Sequence, residues 1–455
     1  MYILMRRCLS RLHVTHVIGL VLTLATLSAV AQPAGEVEFA RGVGFAQAAG
    51  QMPRTLGKGL PLHEGDRLTT AEGATAIIKL QDGTRMTLRP GSEMMVQQYQ
   101  FKEGAADNSM VMQLLRGGFR AITGLISKNS PNAAKIQTTT ATIGIRGTDF
   151  DARICAQDCK SESARIAEKS RPNAITASAK LMSAQGDIRA LDNSGTKRSL
   201  VDGASVYPGD IVEMGTAAKG VFVFRDESRL TLGPNTRFRI DSFVFDDKNP
   251  ADGRFLVSLL RGSMRALTGL ISRANNRNVG FTTVTATIGI RGTGLDLDCG
   301  ATEVAESCSF FTWLGSIEVT PTAQLAAQTL GVGQGLLVSR TETRPLREST
   351  LEHLQRPDNI QVNTQQLFSS GGVSVDDEGL FVFVRDGHIE LSTPLQRLHL
   401  GRGETGFASS DGQTGRPADT PLFIQFDKVP MPNSTNPMLL SVLAEMRNTS
   451  SNMCR

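Results

Sequence analysis

The sequence is poor in aromatic residues and histidine, and neither charge sign dominates. Aromatic residues make up 5% of the 455 residues, with one Trp and six His, and 48 Lys and Arg face 44 Asp and Glu. Without a concentrated basic surface, nucleic acid is not expected as a partner. The sequence also lacks a nucleophile elbow, a His-Glu-x-x-His helix, a phosphate-binding loop and a dinucleotide fingerprint. These absences predict a protein without catalytic residues, bound metal or cofactor.

Long hydrophobic runs are lacking except at the N-terminus. There, three Arg and no acid precede or flank the apolar residues 17–31, which end in the small-x-small site Ala29-Val30-Ala31. The run is shorter than the roughly 20 residues of a membrane-spanning helix, so a cleaved signal peptide is favoured over a retained anchor. Removal of residues 1–31 lowers the formal charge from +4 to +1. The sequence therefore predicts a periplasmic or secreted protein with no stable membrane span after cleavage near Ala31.

Two stretches of the chain occur twice. LLRGGFRAITGLIS at 114–127 returns as LLRGSMRALTGLIS at 259–272, with 11 of 14 residues identical. TTTATIGIRGT at 138–148 returns as TVTATIGIRGT at 283–293, with 10 of 11 identical and the same spacing of 145 residues. These repeats indicate the duplication of one unit about the size of an ordinary domain.

The hydrophobic pattern mostly has the period of two that is typical of strands. Residues 73–88, GATAIIKLQDGTRMTL, predict a hairpin with an Asp-Gly turn, and the 45 Gly suit many tight turns. We therefore predict an all-β protein of two homologous, antiparallel-rich units, each a sandwich or a short β-roll or solenoid. Short helices are expected only at 346–355 and 438–446.

The closing strand of each repeat changes its apolar face at Arg-Gly-Thr. Ile143 and Ile145 share one parity, whereas Phe150 and Ala152 have the opposite one, and the second unit shows the same change. A glycine bulge at Gly147, and at the matching position of the second unit, would return the apolar side chains to the core.

Weaker echoes of a repeat occur farther along the chain, as GSIEV at 315–319 and GHIEL at 387–391. They predict a hairpin after the second unit and a partial C-terminal β unit. The resulting division is a signal peptide at 1–31, a first unit at 36–155, a linker at 156–175, a second unit with its hairpin at 176–338, a linker at 339–370, a C-terminal β unit at 371–428 and a tail at 429–455.

Two cysteine pairs follow the repeated strand at similar distances. Cys155 with Cys159 and Cys299 with Cys308 are expected to form disulfides in an oxidising compartment. A metal site is the weaker alternative, because no His lies near either pair in the sequence. Cys454, in the polar tail, has no assigned role.

The order of short motifs in the first unit resembles the FecR domain. The motifs are Gly65-Asp66, Asp82-Gly83-Thr84, Leu88 to Ser92, Leu114 to Gly117 and Thr138 to Thr148. The resemblance covers roughly residues 60–150 and 204–295, although the second unit departs from it at Asp226-Glu227-Ser228 and at Gly233 to Thr236.

FecR is a transmembrane sigma-factor regulator whose periplasmic part receives a signal from an outer-membrane, TonB-dependent transducer. Its cytosolic helical domain precedes the membrane span, whereas only about 16 residues precede the apolar run here. The resemblance therefore implies a non-enzymatic envelope sensing module that binds a protein partner or ligand. The alternatives are a structural or carbohydrate-binding envelope protein, for which Trp313 could stack on a glycan, and an unrecognised hydrolase.

A partner surface is expected around the repeated arginine-bearing strands, because a guanidinium suits bidentate recognition of a carboxylate. The alternative is structural: the glycines form the bulges and the arginines bond turn carbonyls or a carboxylate within their own unit. The residues are Arg116, Arg120, Arg146, Gly147, Thr148, Arg261, Arg265, Arg291, Gly292 and Thr293.

Overall fold

The computed structural model describes residues 32–130, 133–173, 177–193, 195–300, 307–323, 326–368 and 372–425. The predicted signal peptide, the tail at 429–455 with Cys454, and the helix expected at 438–446 lie outside these residues. Strands dominate the rest of the chain and form curled sheets, so the all-β prediction is confirmed. Across the described ranges, no helix has the length and apolarity needed to cross a bilayer.

The described residues of the first unit form twelve strands and one short helix, α1 (Leu125–Asn129). Its strands pair antiparallel except for the parallel pair β9 and β11. They are β1 (Gly35–Arg41), β2 (Gly44–Gln47), β3 (Arg54–Thr55), β4 (Pro61–Leu62), β5 (Arg67–Thr70), β6 (Thr75–Leu80), β7 (Arg85–Leu88), β8 (Glu93–Gln100), β9 (Ser109–Arg116), β10 (Gly118–Ile122), β11 (Ala134–Gln137) and β12 (Thr142–Cys155).

A linker with α2 (Gln157–Ser163) and β13 (Arg171–Pro172) leads to the second unit. This unit repeats the same order of elements, with α3 (Leu270–Ala274) in the place of α1. Its strands are β14 (Ala179–Gln185), β15 (Ile188–Leu191), β16 (Lys197–Ser199), β17 (Ser205–Val206), β18 (Ile211–Met214), β19 (Lys219–Phe224), β20 (Arg229–Leu232), β21 (Arg237–Val244), β22 (Arg254–Leu267), β23 (Val279–Thr283), β24 (Ala286–Cys299), β25 (Cys308–Pro321), β26 (Gln328–Leu330), β27 (Gly335–Val338) and β28 (Thr343–Leu346).

The C-terminal segment adds five strands and two short helices within residues 364–368 and 372–425. They are α4 (Thr364–Phe368), β29 (Gly379–Ser392), β30 (Arg397–Gly401), β31 (Thr405–Ser409), β32 (Thr414–Gly415), β33 (Asp419–Thr420) and α5 (Leu422–Gln425). In the described ranges, 3₁₀ turns lie at Pro250–Asp252, Asn276–Asn278 and Pro357–Asn359.

The C-terminal strands complete the sheet of the first unit. Strand β29 pairs with β12 from Cys155 opposite Gly379 to Thr142 opposite Ser392. In the second unit, β25 pairs in the same way with β24. Strands β30 and β31 fold back on β29 as β26 and β27 fold back on β25. The second unit is thus inserted between two parts of the first.

The sequence predicted a partial C-terminal β unit at 371–428, whereas in the structure the strands of residues 379–415 belong to the sheet of the first unit. GSIEV and GHIEL are the same element twice, namely the partner strand of the repeated TIGIRGT strand. A lone hairpin has too little apolar surface for a core of its own. In the structure, Leu380, Ile389 and Leu400 are fully buried in the core of the first unit.

The glycine bulge is present in both units. The pairing register shifts between Arg146 and Asp149 and again at the matching place in the second unit. Gly147 has a φ of +60° and Gly292 a φ of +65°, a backbone conformation that favours glycine. Phe150 then returns to the core with no exposed area.

The hairpin predicted at 73–88 is formed by β6 and β7, and both predicted disulfides, Cys155–Cys159 and Cys299–Cys308, are present. The helix expected at 346–355 is absent: these described residues form the end of β28 and turns. Helices form instead at the repeated GLIS segments, where Leu125 N donates to the carbonyl of Asp82 and Leu270 N to that of Asp226. Each has five residues, too few to show a helical period in the sequence.

Candidate functional site

The repeated threonines of Arg-Gly-Thr fasten each bulge to the partner strand. Thr148 Oγ1 donates to the carbonyl of His388 at 2.8 Å, and its own amide donates to Thr123 Oγ1 at 2.7 Å. Thr293 makes the matching bonds, donating to Ser316 O at 2.8 Å. Both hydroxyls therefore hold strands together within a unit.

The turn aspartates of the FecR-like motifs also form hydrogen bonds within their own units. Asp82 accepts from the hydroxyl of Thr84 at 2.9 Å, and Asp226 accepts from that of Ser228 at 2.8 Å. The departure at Ser228 thus keeps the hydrogen bond. Burial raises the pKa of Asp226 to about 6, against the hydrogen bonds from Ser228 that favour its charged form.

The six repeated arginines divide into structural and exposed groups. Arg265 is buried and donates to Asp296 Oδ1 at 2.9 Å and to the carbonyls of Leu351 and Leu354 at 2.9 and 2.7 Å. Arg120 is partly buried and forms a bidentate pair with Asp149. Arg116 and Arg261, in contrast, are exposed.

A buried carboxylate at the same place in each unit was not singled out from the sequence. Asp151 accepts from Arg385 at 2.6 Å and from Arg89 at 3.3 Å, whereas Asp296 accepts from Arg265. Because the two aspartates lie at the repeat spacing of 145 residues, the repeat itself was a usable signal. Burial raises the pKa of Asp296, opposed by Ser349 and Arg265.

Arg146 and Arg291 are identical in sequence context but not in surroundings. The side chain of Arg146 is 15% exposed and lies 3.9 Å from Glu390, near Asp202 of the second unit. The side chain of Arg291 is 58% exposed, and its partner Glu318, at 3.4 Å, is 45% exposed. The structure thus covers one of the two predicted sites and leaves the other accessible.

Arg146 is covered by a contact that we call the unit junction. It joins the second unit to the hairpin β29–β31. On the second unit it includes Lys180, Asp202, Gly203 and Tyr207. On the hairpin it includes His388, His399, Arg402 and Glu404, and Arg416, directly after β32, also contributes.

A buried ion pair lies at the centre of the unit junction. Lys180 Nζ is 3.2 Å from Glu404 and donates to the carbonyl of His399 at 2.8 Å, and the two charged side chains are 0% and 1% exposed. Arg416 lies 3.5 Å from the same carboxylate. Burial lowers the pKa of Lys180 to about 8, although Glu404 opposes the shift. Burial alone would raise the pKa of Glu404, but Lys180 and Arg416 hold it below its ordinary value.

Two histidines stack beside this pair. The rings of His388 and His399 lie 5.4 Å apart at 20°, and Gly203 leaves no room for a side chain against the ring of His399. Burial lowers the pKa of His388 well below its ordinary value and that of His399 to about 4. Both rings are therefore neutral at pH 7, beside cations that disfavour their protonation.

Trp313 is engaged within the second unit. Its Nε1 donates to Asp296 at 3.0 Å, and the guanidinium of Arg356 stacks on the ring at 4.2 Å. The indole N–H and the ring face that a glycan-binding site would use are thus both engaged by protein groups. Among the described residues, no three His, Cys, Asp or Glu side chains are placed to share a metal ion.

Residues 66–166 match the FecR protein family. The resemblance expected for the first unit is confirmed over this range, which includes the Asp82 turn and the closing strand with Thr148. The FecR match ends before β29–β31, so the hairpin that completes its sheet lies outside the matched range.

Two crystal structures of a "putative anti-sigma factor" from Parabacteroides distasonis ATCC 8503, at 2.50 and 1.65 Å resolution, are also similar to part of the chain. Each match has 16% identity and a TM-score of 0.25, and covers 31% of this chain. The chain spans 62% of the length of those proteins. No curated protein matches it significantly.

Proposed function

We propose that this protein is a non-enzymatic sensing and interaction module of the cell envelope that binds a protein partner. The FecR match over residues 66–166 is the observation that carries the proposal. The two disulfides support an oxidising, extracytoplasmic location, since such bonds are rare in the cytosol. The absence of known catalytic motifs from the sequence supports a role in binding rather than catalysis.

The partner surface is assigned to the exposed members of the repeated arginines, Arg116, Arg261 and Arg291. The buried members already bond groups in their own unit, so their removal would disturb the fold. The exposed guanidinium of Arg291 retains donors that can bind a carboxylate on a partner. The Thr and Asp residues of the FecR motifs are assigned a structural role, because their hydrogen bonds are internal.

The proposal is tested by cross-linking in intact cells, followed by purification of the chain and identification of what is attached. Arg261→Ala and Arg291→Ala should reduce recovery of one defined envelope protein at unchanged Tm. Arg254→Ala, an exposed arginine at the start of β22 without an arginine counterpart in the first unit, is the matched control. Equal recovery of the partner with the unmodified chain and all three variants would reject this surface. A lower Tm in the two test variants would also reject it.

Location is tested on the same cells. The protein should be released with the periplasmic fraction, and its N-terminus should be Gln32. A protein recovered in the cytoplasm with reduced cysteines would contradict the proposal.

A further inference from the structure

The hairpin that completes each unit has the same backbone arrangement in both. Ile389 pairs with Leu400 as Ile317 pairs with Leu330. The tight turn that follows is also the same: Gly403 N donates to Val384 O at 2.7 Å, as Gly333 N donates to Thr312 O at 2.8 Å. Residues of one hairpin can therefore be matched to those of the other position by position. Arg402 matches Val332, and Glu404 matches Gln334.

The matched faces differ in what covers them. On the C-terminal hairpin, Glu404 is 1% exposed beneath Lys180, and Arg402 N donates to Tyr207 Oη at 2.7 Å. On the hairpin β26–β28, Val332 is 64% exposed, and Gln334 is exposed as well. There, Thr329, Gly333, Gln334 and Pro345 line an open cavity of about 400 Å³. In the described part of the chain, this second face is open to solvent.

The covering side of the unit junction also has a counterpart in the first unit. Lys180 pairs with Ser205 across β14 and β17, as Glu36 pairs with Pro61 across β1 and β4. Gly203 N donates to Leu181 O at 2.6 Å, as Gly59 N donates to Val37 O at 2.8 Å. Glu36 and Pro61 are exposed. Within the described residues, the chain thus contains the formed junction, an open counterpart of its hairpin side and an open counterpart of its strand-edge side.

We propose that the open hairpin face β26–β28 docks the β1–β4 edge of a second copy of this chain. The contact repeats, between molecules, the unit junction found within the molecule. It is heterologous, because one partner contributes a hairpin and the other a strand edge. Each added copy leaves the same two surfaces free, so association continues head to tail.

The side chains at the open surfaces are compatible with this contact. The buried pair of Lys180 and Glu404 is replaced by Glu36 and Gln334, and an amide can donate to a carboxylate. Arg344 and Arg347 are exposed on the hairpin side and attract the same acid. At one position the charges are less favourable than in the unit junction. Lys58 takes the place of Asp202 and would lie near Arg291, also a cation, although Glu318 lies beside that arginine. The intermolecular contact is therefore weaker, and association depends on concentration.

Cysteine cross-linking tests the polarity of the contact. Glu36→Cys and Gln334→Cys are introduced together in the full chain, with Cys8 and Cys454 changed to Ser, and the exported protein is oxidised. A ladder of dimers, trimers and larger species is expected on a non-reducing gel. Equal mixtures of the two single variants should stop at dimers, and each single variant alone should stay monomeric.

The control pair is Glu36→Cys with Lys248→Cys, since Lys248 is exposed on the second unit in the loop after β21. It should form no ladder. A missing ladder with Gln334→Cys, an equal ladder with Lys248→Cys, or dimers from a single variant would overturn the proposal. Arg291 belongs to both proposed surfaces, but the envelope partner is judged by its own measurement, its recovery from cells, and not by the cysteine ladder.

Sedimentation velocity without cross-links provides the second measurement. The unmodified chain should sediment faster as concentration rises. Val332→Asp should abolish this rise, because it buries a carboxylate in the contact at the position that Arg402 occupies against Tyr207 in the unit junction. Val244→Asp, at an equally accessible valine of the same unit, should retain it. A chain that stays monomeric at every concentration, or two variants that behave alike, would contradict head-to-tail association.

Discussion

The hairpins that complete the two units are alike in backbone and unlike in environment. In the second unit, β25–β28 directly follow the strand that they pair with, and their outer face is open. In the first unit, β29–β32 arrive after the whole second unit, and their outer face is covered by it. The comparison shows that one duplicated surface serves as an internal interface in one copy and is accessible in the other.

The side chains changed with the environment. Where the hairpin face is covered, it has the ion pair of Lys180 and Glu404 and two neutral histidines. Where it is open, Gln334 and Thr329 take the places of Glu404 and His399. A buried face can use charge only in paired form, whereas an open face has no such requirement.

The largest effect is expected from exchanging the matched residues of the two hairpins. Glu404→Gln would leave Lys180 and Arg416 buried beside a neutral amide, and the free energy of unfolding should fall by about 3–5 kcal/mol. Gln334→Glu, on the open face, should change it by less than about 0.5 kcal/mol. Urea unfolding measures both.

Adding Lys180→Met to Glu404→Gln removes one of the unpaired cations and should restore part of the loss. Similar effects of the two reciprocal exchanges would mean that the hairpin faces do not differ as described.

The two units should respond to acid in opposite directions. The folded-state pKa of His399, about 4, lies below its unfolded value of about 6.5. Between these values the unfolded chain binds a proton that the folded chain does not, so stability should fall as the pH drops from about 6.5 to 4, by at most about 3 kcal/mol. Burial of the His399 ring disfavours its charge most, Glu390 partly favours that charge, and Lys180, Arg146 and Arg416 oppose it. The ring of His388 stacks on that of His399.

Asp226 in the second unit has the reverse linkage. Its folded-state pKa of about 6 lies above the ordinary 3.8, so the folded chain binds the extra proton and stability should rise as the pH falls from about 6 to 4. Thermal unfolding of His399→Gln and Asp226→Asn across this range separates the two effects. His399→Gln should reduce the acid-induced loss, and Asp226→Asn should enlarge it; a wild-type slope in either variant would contradict the assignment.

Arg120 and Arg265 occupy matching positions in the two units and differ in burial, so they test how burial changes the contribution of an arginine to stability. Arg265→Ala leaves Asp296 without its cation and two carbonyls without a donor, and we expect a loss of about 2–4 kcal/mol. Arg120→Ala breaks a partly exposed pair with Asp149 and should cost only about 0.5–1 kcal/mol. Chemical denaturation distinguishes the two, and an equal loss would argue against the difference in burial.

The smallest expected effects concern the threonines that make the same hydrogen bond at the bulge of each unit. Thr148→Val and Thr293→Val each remove one hydroxyl bond to a carbonyl across a bulge, and each should cost about 1 kcal/mol. The two Tm decreases should be similar. A clearly larger decrease in Tm in one unit would show that the two bulges do not contribute equally to stability.

Much of the fold could be predicted because its signals are local. The β6–β7 hairpin and the parity change at Gly147 are visible in short stretches of sequence. The same holds for the two disulfides, whose cysteines lie 4 and 9 residues apart. The helices at GLIS could not be predicted in this way, because their first amides bond to Asp82 and Asp226 more than forty residues upstream.

The candidate site was predictable only in part. The sequence singled out Arg146 and Arg291 as equivalent, since both stand in TATIGIRGT. Their different exposure depends on whether the second unit covers the neighbouring hairpin, which is not encoded within either strand. Asp151 and Asp296 shared the repeat spacing, yet their role became visible only with the guanidinium groups brought to them.

The duplication, the β class, the glycine bulges and the cysteine pairs could all be read from the amino-acid sequence, because each depends on neighbours along the chain or on the repeat. In contrast, which hairpin completes the first unit and which repeated arginines are accessible became visible only in the folded chain. Those outcomes depend on pairing between distant segments, such as Thr148 and His388, which are 240 residues apart. GSIEV and GHIEL have the same local preferences and pair in the same way with the repeated strand, and the difference between their hairpins is set by what packs against them.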